Sequence, residues 1–545
     1  MSVEYKEFSG LNLPSIERRI LAEWKESRAF EKSVELREGA TPFVFYEGPP
    51  SANGMPGIHH VIARALKDLV CRYKTMRGYQ VKRKAGWDTH GLPVELGVEK
   101  ELGITKEDIG TGKKDKYGNE VTVEYYNQKC REAVLRYKDK WDELTTKMGY
   151  WVDLEHPYIT FDNKYIETLW WLLKQLYSKG LLYESVSIQP YSPGAGTGLS
   201  SHELNQPGCY KEVKDTSCVA MFALTRKGKE EENSFAKKLV DIAAEAWANT
   251  PLQGANVFFL AWTTTPWTLP SNLGLTIGAS IDYVLVKTFN PYTHLPINVI
   301  LAKELLDKYF KLEAKKGDFE AYNESSKIIP RKILAEFKGS QLEGIHYEQL
   351  LPFEANKTDN PNAFKVLLGD FVTTEEGTGI VHTAPAFGAD DFKIGKKYDI
   401  GILTMVDRQG KFVEGLGEFS NRYVKNYTDD PNYEDVNVDI CVKLKKENRA
   451  FRVEKYEHSY PHCWRTDKPI LYYPLDAWFI KTTALKDRMV ELNKTINWKP
   501  KSTGEGRFGN WLENMVDWNL SRSRYWGTPL PVWRTEDGSE EVCIG

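Results

Sequence analysis

The stretch GPPSANGMPGIHH, residues 48–60, stands between a short apolar run, TPFVFYE, and a long amphipathic run, and this order constrains the fold more than any other feature of the chain. The apolar run predicts a buried strand. Gly48, Pro49, Pro50, Ser51, Asn53 and Gly54 predict a loop. After His59 and His60, the residues Val61, Ile62, Ala65, Leu66, Leu69, Val70, Tyr73 and Met76 recur at helical spacing, which predicts a helix with one buried apolar face. Strand, glycine-rich loop and helix start in that order present backbone N–H groups and the positive end of a helix dipole. Together these favour an anionic ligand such as a nucleotide phosphate. Two imidazoles add donors there, although a histidine at a helix start is more commonly a cap or a packed side chain.

With 545 residues, 41% of them hydrophobic and 27% charged, the chain has the composition of a globular protein. Its length allows about three domains. The net charge of −3 provides no overall polycation, so a nucleic-acid partner has to be held by local basic patches. The N-terminus lacks a signal pattern, and no apolar run approaches the roughly 18 residues needed to cross a bilayer. The expectation is a cytoplasmic protein with no membrane partner. Seven cysteines, an odd number without a C-x-x-C pair, predict reduced thiols and neither a disulfide framework nor a structural zinc site.

Residues 1–190 mix strands and long helices, with an apolar, aromatic helix over residues 165–180 that ends at glycine. YSPGAGTGLSSHELNQPG, residues 191–208, is rich in Gly, Pro and Ser and marks a boundary. Beyond it, NVFFLAW and DYVLVKTF carry β-branched and aromatic residues between turn signals, so residues 191–460 read as an inserted, mostly β domain. A second junction follows, and DAWFIKTTALKDRMVELN returns to helical periodicity in residues 461–545. The charged runs KGKEEENSFAKK and KLKKENR read as solvated surface, with RNA contact the minority reading.

QVKRKAGWDTHGLPVE supplies a second short strand ending at Trp87 and Asp88, where the C-terminal edge of a parallel sheet presents ligand-binding groups. Asp88 can hold a substrate ammonium or cap the helix predicted beyond Pro93, and the residues leave both readings open.

Five motifs in order, GPPSANGMPGIHH, KAGWDTHGLPVE, WTTTPWTLPSN, GTGIVHTAPAFGADDF and WNLSRSRYWGTPLPVW, resemble those of the class I aminoacyl-tRNA synthetases, and the wording GWDTHGLPVE resembles their isoleucine branch. The resemblance runs through nearly the whole chain. It implies an α/β fold: a Rossmann-type parallel nucleotide-binding domain split by an inserted, mostly β editing domain. It implies a monomeric ligase that activates isoleucine with ATP and Mg²⁺ to the adenylate and transfers it to tRNA(Ile). In that reading Gly48 and Pro49 line the isoleucine site with backbone atoms, Asp88 pairs with the amino group, and His59, His60 and Gly57 bind ATP. The family pattern H-x-G-H is here G-I-H-H, so its first and third residues have traded places. His60 keeps its position, and Gly57 opens space beside the adenylate.

Isoleucine and valine differ by one methylene, worth about 1 to 3 kcal/mol, a figure that comes from enzymes of this very type and not from this chain. A second, hydrolytic site against valine is therefore expected in the insertion. By position the resemblance gives it Thr263, Thr264, Thr265 and Thr268 on one side and His382 and Asp391 on the other, with Asp391 holding the ammonium of misattached valine. Without the resemblance, the threonines read as ordinary strand residues, and Asp390 and Asp391 as acids at a helix N-terminus. No Ser-His-Asp or metal constellation appears, which predicts a water attacking the ester, oriented by hydroxyls and the substrate ribose. The junctions carry one thiol, Cys463, where relatives carry zinc-binding C-x-x-C pairs, so no structural zinc is expected. Arg522 and Arg524 read as structural or RNA-facing. The chain stops before any KMSKS-like loop or anticodon-binding region, as an N-terminal fragment of such an enzyme would, and such a fragment is expected not to aminoacylate. A valyl or leucyl enzyme, a free-standing deacylase and a non-catalytic RNA-binding module are the rival readings.

Overall fold

Two parallel strands, β1 (Lys84–Trp87) and β2 (Asp153–Ile159), form the centre of the first of two compact units in a computed structural model that describes residues 10–225, 233–248 and 256–544. This unit holds residues 10–183, 480–518 and 524–544 of the described chain, and the second holds residues 184–479 and 519–523. The charged residues 226–232 lie outside the described residues.

Helices α1 (Leu13–Ser27), α2 (Ala29–Glu35), α3 (His59–Met76), α4 (Leu92–Leu102), α5 (Val123–Val134), α6 (Lys138–Lys147) and α7 (Asn163–Ser178) accompany the pair, making this unit mixed α/β. Gly180, at φ +66°, ends the aromatic helix as the sequence predicts. TPFVFYE is not a buried strand. Only Pro42 pairs, in parallel with Gln80, and Tyr46 is 89% exposed. Proline has no N–H to give a ladder, and no described strand lies on its other side.

Helix α3 reverses the expected face. Its buried line is Arg64, Cys71 and Thr75, whereas Ile62, Leu66, Leu69, Tyr73 and Met76 are all at least half exposed. The cause is a buried polar cluster. Arg64 bonds Thr145 and lies over the Trp141 ring, while Asp68 and Thr75 bind Arg83, whose side chain is fully buried. Buried charge must be paired, so these partners set the rotation of the helix.

The second unit is built on β3 (Leu182–Ser192), β4 (Thr197–Gly198), β5 (Tyr210–Ala223), β6 (Val257–Thr263), β7 (Gly274–Ile277), β8 (Asp282–Phe289), β9 (Pro296–Ala302), β10 (Lys332–Lys338), β11 (Lys365–Leu368), β12 (Ile380–Thr383), β13 (Ala450–Pro461) and β14 (Leu471–Ile480). Its longer helices among the described residues are α8 (Ser234–Trp247), α9 (Ala389–Tyr398) and α10 (Val436–Lys446). Its main sheet follows β10-β8-β9-β6-β12-β7-β11, with β5 on the other edge of β6 and β13 beyond β5. β6 pairs first with β9 and then, at Trp262, with β12. NVFFLAW and DYVLVKTF are thus strands, and they read as continuous apolar runs because both faces of β6 and β8 are buried.

The boundaries fall at 183/184 and 479/480, not at 190/191 and 460/461, because β3 and β14 pair with each other and extend the strand-rich unit past both junctions. DAWFI consequently belongs to β14, and helix resumes with a 3₁₀ turn, Thr482–Leu485, that runs into α11 (Lys486–Asn493). All seven cysteines are free and buried. No helix among the described residues is long and apolar enough to cross a membrane.

Candidate functional site

A cavity of about 420 Å³ in the first unit is lined by Gly48, Pro50, Ser51, His59, His60 and Arg64, with Glu47, Lys67 and Trp141. The loop is tied down by Trp141, whose indole N–H donates to the Gly54 carbonyl at 2.9 Å, and by Tyr137, whose N–H reaches Ala52 at 3.1 Å. Gly57 donates its N–H to His60 Nδ1 at 2.9 Å. The Gly57 carbonyl lies 3.2 Å from the same nitrogen, so Nδ1 is held by the Gly57 backbone and Nε2 is the ring nitrogen left for a phosphate. Burial, then the neighbouring His59, lowers the His60 pKa. The His59 ring lies 3.8 Å from that of His60 and over Gly57, where an added Cβ would meet His59 Cε1 at 2.6 Å. The imidazole from position 59 thus fills the space that a side chain at position 57 would need.

The start of α3 is partly closed. The N–H groups of His60 and Val61 bond the carbonyls of Gly57 and Ile58, so fewer donors remain for an anion than the sequence suggests. Pro49 and Gly57 are not among the cavity walls. Glu47, Arg64, Lys67 and Trp141 were not legible as site residues; the only signal was a cation, Arg64, inside an apolar run.

Asp88 follows β1 directly, and its N–H donates to the Pro50 carbonyl at 3.0 Å, which ties it to the wall of this cavity. It does not cap α4, whose N-cap is Gly91. Its carboxylate is exposed yet crowded. Desolvation raises its pKa, and a hydrogen bond from the His90 backbone offsets this only in part. Thr89, fully buried, is held on both sides. Its N–H and hydroxyl meet Thr160 Oγ1 at 3.0 and 2.8 Å, and its carbonyl accepts from the Trp526 indole at 2.6 Å. Arg524 is structural, its guanidinium 3.2 Å from Glu95, and Arg522 donates to the carbonyls of Asn519 and Ser521.

In the second unit the turn after β6 brings Thr263, Thr265 and Thr268 together. Thr263 and Thr265 hydroxyls are 3.2 Å apart, Thr265 and Thr268 hydroxyls 3.4 Å, and Thr268 donates to the Thr265 carbonyl at 2.8 Å. Thr264 is half-buried and takes no part in this chain of bonds. His382, on β12, places Nε2 2.9 Å from Thr268 Oγ1 and Nδ1 2.9 Å from the Asn272 amide nitrogen. Burial pushes its pKa down to about 3.

Asp391, in the first turn of α9, folds back to accept the Ala384 N–H at 2.9 Å, two residues past His382. Burial raises its pKa to about 7, and among the described residues no basic side chain pairs with it. A buried carboxyl without a cation is a ready partner for a ligand ammonium. Asn272 and Tyr347, whose hydroxyl donates to Asn272 Oδ1 at 2.6 Å, complete the cluster. Asn272 closes the motif WTTTPWTLPSN and could have been found there, but Tyr347 carries no signal in the sequence. No three His, Cys, Asp or Glu side chains converge as metal ligands among the described residues.

Residues 19–545 match the family described as tRNA synthetases class I (I, L, M and V). The chain is 60% identical over 556 residues to the isoleucine–tRNA ligase of Cytophaga hutchinsonii, covering 98% of this chain and 47% of that protein. It is 56% identical over 576 residues to that of Bacteroides fragilis, covering 100% of this chain and 48% of that protein. With the isoleucine–tRNA ligase of Clostridium novyi the figure is 43% over 534 residues, covering 98% and 44%. The chain spans about half the length of the curated relatives it matches.

Proposed function

We propose, for a chain that belongs to the class I tRNA synthetase family (I, L, M and V), the work of an isoleucine–tRNA ligase: activation of isoleucine by ATP, transfer to tRNA(Ile), and hydrolysis of valine wrongly attached to that tRNA. The first unit is then the leading part of a Rossmann-type nucleotide-binding domain, and residues 184–479 are an insertion within it that carries the hydrolytic site. The observation that carries this reading is the shared wall of the first cavity. Gly48, His59 and His60 line it, and Asp88 is bonded to it through Pro50.

In the activation step an isoleucine carboxylate oxygen attacks the α-phosphorus of ATP, brought with Mg²⁺ as its substrate complex, and pyrophosphate leaves. The ribose hydroxyl of the tRNA end then attacks the acyl carbon and AMP leaves. His60 Nε2–H is the donor that meets developing negative charge on phosphate, and Asp88 holds the ammonium. Positioning and charge stabilisation suffice, with no covalent enzyme intermediate. In the hydrolytic step water attacks the ester carbon, and valine and tRNA leave, with Asp391 holding the ammonium and Thr263 and Thr265 orienting the water.

Exchange of labelled pyrophosphate into ATP, on the protein in its full natural length, tests the reading with isoleucine, valine and leucine in turn. Isoleucine should give the highest kcat/KM. Faster exchange with either competitor refutes the assignment.

A further inference from the structure

We propose that Tyr347 is a positioning residue of the hydrolytic site, which together with the Gly274 carbonyl holds Asn272 so that His382 keeps one tautomer and is a hydrogen-bond donor to Thr268 and not a general base. The inference rests on the editing reading of this pocket. It begins at a group with no choice. The Gly274 carbonyl can only accept, and it lies 2.9 Å from the Asn272 side-chain nitrogen, so the amide group must present its NH₂ there. The amide oxygen then faces Tyr347, whose hydroxyl at 2.6 Å must donate.

The same NH₂ also points at His382 Nδ1 at 2.9 Å, so Nδ1 accepts and the ring proton sits on Nε2. Nε2–H donates to Thr268 Oγ1 at 2.9 Å, and the Thr268 hydrogen goes on to the Thr265 carbonyl at 2.8 Å. Every proton in the chain from Tyr347 to Thr265 therefore runs one way. An imidazolium would set an Nδ1–H against the Asn272 NH₂, so His382 cannot take a proton from water. Beyond Thr268 the chain continues to the Thr265 hydroxyl at 3.4 Å and from it to the Thr263 hydroxyl at 3.2 Å, the two that face a water.

Tyr347 is suited to hold such a chain in place. It is 2% exposed, and its ring is wedged edge-on against Phe222 and Phe364, with centroids 5.4 and 6.0 Å away. Its own N–H is bonded to the Phe364 carbonyl. A side chain that cannot swing gives the amide oxygen a fixed donor, and a buried acceptor without a donor is costly enough to favour rearrangement.

The test is Tyr347→Phe in the whole chain, read by hydrolysis of Val-tRNA(Ile) and by ¹⁵N signals of selectively labelled histidines, with His382→Gln to assign the resonance. The wild type should show one unprotonated and one protonated ring nitrogen for His382, unchanged between pH 5 and 8. Tyr347→Phe leaves the Gly274 carbonyl holding the amide, so Nε2 should stay protonated, while the loosened relay lowers kcat by about tenfold with KM unchanged. Asn272→Asp, which has no NH₂ to offer, should move the proton to Nδ1 and make the ring titrate. This second variant decides the matter if the first does not fold. A wild-type rate in Tyr347→Phe, or the wild-type tautomer in Asn272→Asp, overturns the proposal. Shifted tautomers on a protein that never hydrolyses Val-tRNA(Ile) uphold the relay and overturn the editing reading instead.

Discussion

Glu95 and Trp526 are 431 residues apart in the chain, and the Trp526 backbone N–H donates to the Glu95 carboxylate at 3.0 Å. The Tyr525 N–H donates to the same oxygen at 3.0 Å, and Arg524 completes the set at 3.2 Å. Glu95 is 2% exposed, so the motif GWDTHGLPVE is anchored by a buried charge to the motif SRSRYWG. The Trp526 indole carries this anchoring on to Thr89, the neighbour of Asp88.

Glu95→Ala should therefore cost the first unit about 3 to 5 kcal/mol, because it leaves a guanidinium and two N–H groups without their partner. Glu95→Gln, which keeps an acceptor, should cost less. Urea unfolding followed by tryptophan fluorescence measures both, and a loss below about 1 kcal/mol for alanine would show that water replaces the carboxylate.

Substitution on the two faces of α3 separates its outward apolar stripe from its buried polar line. Leu69→Lys should change stability by no more than about 0.5 kcal/mol, as an exposed position does. Arg64→Ala, which strips Thr145 and the Trp141 ring of a buried partner, should lower it by about 2 kcal/mol or more. Equal effects in thermal unfolding would contradict the observed rotation of the helix.

Gly57→Ala drives a Cβ into the His59 ring and should raise the KM for ATP in pyrophosphate exchange. His59→Gly in the Gly57→His background restores one imidazole to that space and should recover part of the loss. No change in either variant would mean that the stacked His59 ring plays no part in holding ATP.

Hydrolysis of Val-tRNA(Ile) should gain kcat/KM as pH rises through about 7, where Asp391 ionises and can pair with an ammonium. Asp391→Asn should abolish both this step and most of the activity while sparing adenylate formation. The sign for stability is opposite. The folded chain holds the Asp391 proton above its ordinary 3.8, so this group favours folding most at low pH, and its contribution declines between about 4 and 7. Denaturation at pH 5 and 8, with and without the substitution, measures that contribution.

The sequence by itself set the local elements whose cause is local: the strands of apolar β-branched and aromatic residues at 257–263 and 282–289, the glycine-ended aromatic helix, and the strand that delivers Trp87 ahead of Asp88. Spacing and side-chain chemistry are enough for these. Periodicity also located α3, but it could not set its rotation, because Asp68 and Thr75 pair with Arg83 beyond the end of the helix and Arg64 pairs with the distant Thr145, contacts that spacing within the helix does not encode. The motifs named Gly48, His60 and Asp88 one by one, and the fold joined them, Gly48 and His60 as walls of one cavity and Asp88 through its bond to the Pro50 carbonyl. Likewise the threonines and His382 were visible as residue types, while the direction of the protons between them was decided by a glycine carbonyl and a wedged tyrosine brought in by folding. Hydrogen-bond direction depends on every neighbour at once, and neighbours distant in sequence meet only in the tertiary structure.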